Sequence, residues 1–128
     1  MTKFQSLSED FRSALLRFEE ILREKKTDIV RDSAIKRFEI TFDLSWKTLK
    51  AFLEENHNIT CVSPKTCFRE AFRVGLIEHN VSWIKLADDR NYTAHIYRET
   101  LAERIYRKLP EALRTFQILT TAFTQEKL

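Results

Sequence analysis

The chain has 128 residues, 43% of them hydrophobic and 32% charged, with a formal net charge of +3 at pH 7. That length holds one domain with a substantial core and is too short for two ordinary ones, while a single Gly and two Pro supply too little turn chemistry for an all-β fold. The mild positive charge permits a nucleic-acid partner without requiring one.

The first residues, Met1-Thr-Lys-Phe-Gln-Ser, lack the apolar stretch of a secretory signal, and no run approaches the roughly 18 apolar residues of a membrane span. The expectation is a cytoplasmic protein with no membrane association. Phe4, Leu7, Phe11, Leu15, Phe18 and Leu22 recur at steps of three and four, the stripe of an amphipathic helix that ends in the polar stretch 23–28. A second helix, from about residue 29 to 56, carries Ile35, Phe38, Phe42, Trp46, Leu49 and Leu53 on one face. Ile40, Leu44 and Phe52 on another face suggest burial on two sides, as in a central or dimer-forming helix.

Residues 57–63 read as a loop that ends at Ser63-Pro64, an N-cap followed by Pro at the first helical position. Cys61 and Cys67 are too few for a disulfide framework and have no metal-ligand pattern around them, so they read as buried or half-buried free thiols. A third helix spans 64–74, and Gly75 suits the left-handed position that ends it. A short fourth helix, about 81–87, buries Trp83 and Leu86. Asp88, Asp89 and Asn91 are good N-cap residues, so the last long helix is predicted to start among them, with Arg90 at an anion-attracting N-terminus. Tyr97, Leu101, Ile105, Leu109, Leu113, Phe116 and Thr120 follow at helical spacing, and Pro110 predicts an interruption with a kink near Tyr106 before the helix resumes to about Phe123. The fold class implied is all-α: an antiparallel, up-and-down four-helix bundle with short extra helices, as a single domain over 1–128.

The stretch 87–97, Ala-Asp-Asp-Arg-Asn-Tyr-Thr-Ala-His-Ile-Tyr, gathers Arg90, Asn91, His95 and Tyr97 with no apolar stripe to explain them. On an ideal helix Asn91 and His95 share one face, and Arg90 and Tyr97 a neighbouring one. RNA carries its own nucleophile, the 2′-hydroxyl. A protein that cleaves it need only remove that proton, protonate the leaving oxygen and hold charge on the phosphate, so His and Arg suffice without a metal or cofactor. One chain supplies one such pair; a twofold homodimer supplies a base and an acid to a single phosphate. An Arg five places before a His is common by chance at this composition, but adding the Asn and the Tyr lowers the odds to on the order of one in ten thousand.

Arg90-Asn91, three residues, His95, one residue, Tyr97 resembles the active-site motif of the HEPN superfamily, in its HepT-like branch, also called the nucleotidyltransferase substrate-binding protein family. The blocks 37–50 and 63–77, together with Trp83, agree with that branch. The resemblance implies a helical-bundle homodimer, the toxin of a toxin-antitoxin pair, acting as a metal-independent ribonuclease through Arg90 and His95 with Asn91 as motif support. It further implies a cognate small nucleotidyltransferase as antitoxin, which transfers AMP to Tyr97 and silences the phosphate seat at Arg90. The alternative is a non-catalytic subunit that binds substrate for the nucleotidyltransferase. A third reading makes the motif structural, with Arg90 paired to an acidic neighbour such as Asp88 or Glu99 and His95 capped in the core.

Overall fold

The computed structural model describes residues 1–126. Its first helix, α1 (Lys3–Leu22), starts at a capping box in which the Thr2 side chain accepts from the Gln5 amide and the Gln5 side chain accepts from the Thr2 amide. Phe4, Phe11, Leu15 and Phe18 of the predicted stripe are buried, and Leu7 and Leu22 pack at its edges. Helix α2 (Asp28–His57) is the central element, packing on α1, on α5 (Glu99–Glu126) and on the short pair α3 (Pro64–Arg73) and α4 (Val81–Tyr92). Ile35, Phe38, Phe42, Leu49 and Leu53 are buried, as is Phe52 from the second face. Ile40, Leu44 and Trp46 remain half-buried. The rings of Phe18, Phe38, Phe116 and Trp83 meet at centroid separations near 6 Å, so all three long helices and α4 share one apolar cluster.

Three polar residues inside α2 show how α1 and α2 lie so close. Thr41 and Thr48 donate to their own helix at Arg37 and Leu44 and also reach Ala14 O and Leu7 O across the interface, while Ser45 is satisfied by Phe42 O. Their hydroxyls are paired, so burial costs little.

The turn between α2 and α3 is a loop ending at the predicted Ser63 cap, but its cysteines differ from the expectation. Asn58 takes the left-handed conformation (φ 54°) that Asn tolerates, ending α2, and Ser63 caps α3 with Pro64 in its first turn. These two features fold the intervening loop back on α3. Cys61 thereby comes within 5.3 Å of Cys67, Cα to Cα, and the two form a disulfide. The expectation of free thiols is corrected, although both residues are buried as predicted. Gly75 has the positive φ (81°) assigned to it, past the end of α3. Helix α5 runs unbroken across Pro110, without the predicted interruption. Pro110 is exposed, so water can satisfy the backbone carbonyl that its missing N–H leaves open.

Candidate functional site

The structure corrects where the motif sits on its helices. No helix starts at residues 88–91. Helix α4 runs through them to Tyr92, a 3-10 turn covers Thr93–His95, and α5 begins only at Glu99. Asp88 and Asp89 cap nothing: Asp88 accepts from Lys65 of α3 at 2.6 Å and Asp89, nearly buried, from Lys108 of α5 at 3.2 Å. They clamp α4 between its neighbours. Arg90 therefore occupies the last turn of α4, where the dipole favours a cation, rather than a helix N-terminus that would attract an anion.

Arg90 is held from three directions. Its Nε and Nη2 donate to the two carboxylate oxygens of Asp43 on α2, at 3.0 and 3.1 Å, and Nη1 donates to Thr93 Oγ1 at 3.2 Å. Glu39, one turn before Asp43, approaches Nη1 at 3.9 Å. The Asp43 hydrogen bonds raise the Arg90 pKa above its ordinary value against the opposing effect of burial. A guanidinium has five N–H donors, and three are engaged here, which leaves two without a hydrogen bond among the described residues. Thr93 also donates to Arg90 O at 2.6 Å, tying the arginine to the turn that carries His95.

His95 and Tyr97 are exposed and touch each other. Tyr97 Oη lies 3.4 Å from His95 Nδ1, and the rings meet edge to face at 5.9 Å. The Arg98 guanidinium stacks over the Tyr97 ring at 5.8 Å. Nε2 of His95 has no hydrogen-bond partner among the described residues, so one imidazole nitrogen is available for proton transfer. Asn91 is exposed in the last turn of α4, and His95 lies in the 3-10 turn that follows, so the two are not on one unbroken α-helix. The structural reading of the motif is met in part: Arg90 is paired to an acidic residue, Asp43 rather than Asp88 or Glu99, while His95 is exposed and outside the core.

Two partners escaped the residue pattern. Asp43 was detectable as a carboxylate inside the apolar run Thr-Phe-Asp-Leu, one helical turn after Glu39. Arg31 gives no such signal. Its side chain is only 2% exposed, yet it donates to Asp32 at 2.9 Å, Glu99 at 2.7 Å and Glu103 at 3.0 Å, with Asp28 at 3.8 Å. These bonds raise its own pKa and lower that of Glu99, while Glu103 is lowered first by a hydrogen bond from Lys26 and then by Arg31. They pin the start of α5 to the start of α2 and so fix the far end of the 93–98 segment. Among the described residues no cluster of three or more His, Cys, Asp or Glu side chains is arranged to hold a metal ion, and no helix is long and apolar enough to cross a membrane.

Residues 6–125 match the model of the family described as nucleotidyltransferase substrate binding protein like. A Haemophilus influenzae protein named probable ribonuclease HepT is 32% identical over 98 residues, covering 70% of this chain and 67% of its own length. A crystal structure of a Thermus thermophilus protein superposes with a TM-score of 0.81 at 38% identity, over 85% of this chain and 94% of that one. A second structure, from Haemophilus influenzae, is described as revealing the fold of a substrate binding domain of a nucleotidyltransferase. It superposes with a TM-score of 0.69 at 23% identity, over 93% and 95% of the two chains, and at that identity shares the fold.

Proposed function

Because the chain belongs to the nucleotidyltransferase substrate binding protein-like family, we propose that it is the toxin of a pair, a metal-independent ribonuclease acting through Arg90 and His95 and silenced when a cognate nucleotidyltransferase adenylylates Tyr97. The observation that carries this reading is the exposed contact of Tyr97 Oη with His95 Nδ1, next to the turn whose Thr93 holds Arg90. His95 Nε2 removes the proton of an RNA 2′-hydroxyl, whose oxygen attacks the adjacent phosphorus. The bond to the 5′-oxygen breaks and that oxygen takes a proton from an acid on the opposite side. Arg90 uses its two open N–H groups on the phosphate oxygens, already oriented by Asp43.

A single chain holds one such imidazole, so the acid comes from a second copy in a homodimer. Half-buried Ile40 and Leu44 flank Asp43 on α2 and offer that copy an apolar seat beside the site. In the silencing step Tyr97 Oη attacks the α-phosphorus of ATP, pyrophosphate leaves, and the phenolic proton passes to a base. The product is a phosphodiester, with one negative charge, at the atom that had faced His95. It blocks the imidazole directly and lies close to Arg98.

The second reading, a non-catalytic subunit that presents substrate to a nucleotidyltransferase, is favoured by the family's own description. Incubation with the cognate nucleotidyltransferase and ATP separates the two. Under the toxin reading the wild-type protein gains one or more adenylyl masses and loses RNA cleavage, and Tyr97→Phe gains none. Wild-type protein that accepts AMP but leaves RNA intact beforehand supports the second.

A further inference from the structure

Arg90 faces Asp43 and Glu39, so the motif's guanidinium is already offset by carboxylates before any RNA arrives. The charge of an RNA strand must then be met elsewhere. The α2 block that carries Asp43 continues into Trp46, Lys47 and Lys50. Lys47 and Lys50 lie four and seven residues beyond Asp43, on the same side of the helix and about 6 and 11 Å further along its axis. With Lys3 and Leu7 of α1 and Glu54, they line a groove of about 240 Å³ in which the half-buried Trp46 indole lies. Lys3, Lys47 and Lys50 form no ion pair among the described residues; Lys25 and Lys85 share that but do not line this groove, and Lys26, Lys36, Lys65 and Lys108 each have a carboxylate partner. Three ammonium groups against one carboxylate, around a partly open aromatic ring, suit a strand of phosphates with unstacked bases.

We propose that this α2 groove is the single-stranded RNA track of the protein, with Lys47 and Lys50 on phosphates next to the scissile one and Trp46 stacking a base. The proposal rests on the RNA-cleaving reading for its ligand, and its test separates the two. His95→Ala protein serves as the background that leaves RNA whole, and binding of a fluorescein-labelled oligouridylate is followed by anisotropy as salt is raised. Lys47→Gln/Lys50→Gln in that background weakens binding on the order of tenfold and lowers the salt slope by about 1.4, or 0.7 for each phosphate contact. RNA also quenches tryptophan emission, and Trp46→Phe removes the response, because Trp83 is buried and stacked on Phe68 at 4.6 Å.

Unchanged affinity and slope in the double variant would overturn the track. So would lost affinity accompanied by a changed sedimentation coefficient, which assigns the groove to contact between copies. If wild-type protein leaves RNA intact while the double variant loses affinity, the nuclease reading fails and the track stands. Cleavage by wild-type protein with unchanged binding by the double variant sinks the track alone.

Discussion

Asp43 and Arg90, 47 positions apart in the chain, meet through two parallel hydrogen bonds of 3.0 and 3.1 Å, so the carboxylate of the central helix decides how the guanidinium of α4 points. Asp43→Asn keeps the shape of the pair but removes its charge and one acceptor. It should lower stability by about 1 kcal/mol, the scale of a partly exposed charged hydrogen bond. RNA cleavage should fall by a larger factor than that loss of folded protein explains. Thermal denaturation alongside a cleavage assay checks this, and a variant with wild-type turnover would show that Asp43 does not position Arg90.

Much of the scaffold was readable because its signals are local. Ser63-Pro64 caps α3, Gly75 takes a positive φ, and the Phe and Leu stripes of α1, α2 and α5 lie in the core as their spacing requires. The start of α5 was misread for a physical reason: Asp88, Asp89 and Asn91 have N-cap chemistry, but the two carboxylates are taken by Lys65 and Lys108, and α4 continues through them. Tertiary ion pairs outweighed a local preference. Arg90, His95 and Tyr97 stood out in the residue pattern because they cluster within eight positions, whereas the Asp43 and Arg31 partnerships depend on contacts 47 and 68 residues away and have no periodic signature.

The Arg31 cluster predicts an acid dependence. Glu99 and Glu103 have pKa values below the ordinary carboxylate value in the folded protein, so their contribution to stability is complete above about pH 4.3, the unfolded value, and is lost as pH falls through the lowered folded values. Arg31→Met should flatten this part of the curve. Urea midpoints measured from pH 7 down to pH 3 give the comparison. Parallel curves for the two proteins would mean that Glu99 and Glu103 draw no stability from Arg31.

The Cys61–Cys67 bond closes a loop across a sequence separation of 6. Chain-entropy reasoning gives a closure that short about 2 kcal/mol of stabilisation. Cys61→Ser/Cys67→Ser should lower unfolding free energy by about that amount under oxidising conditions. The same variant and the wild type should differ far less in excess reducing agent. Equal stability of the two oxidised proteins would show that the bond does not hold the α2–α3 turn.

Incubation of purified protein with RNA in EDTA, wild type beside His95→Ala, tests the central claim most directly. His95 is exposed and its ring contacts only Tyr97 among the aromatic pairs seen, so the substitution should leave the fold intact, as circular dichroism would confirm. Wild-type protein is expected to degrade RNA, and the variant's rate to fall by at least about a hundredfold, the lower scale of a general acid-base group. Equal cleavage by the two proteins would contradict the assignment of His95 as the proton-transfer group.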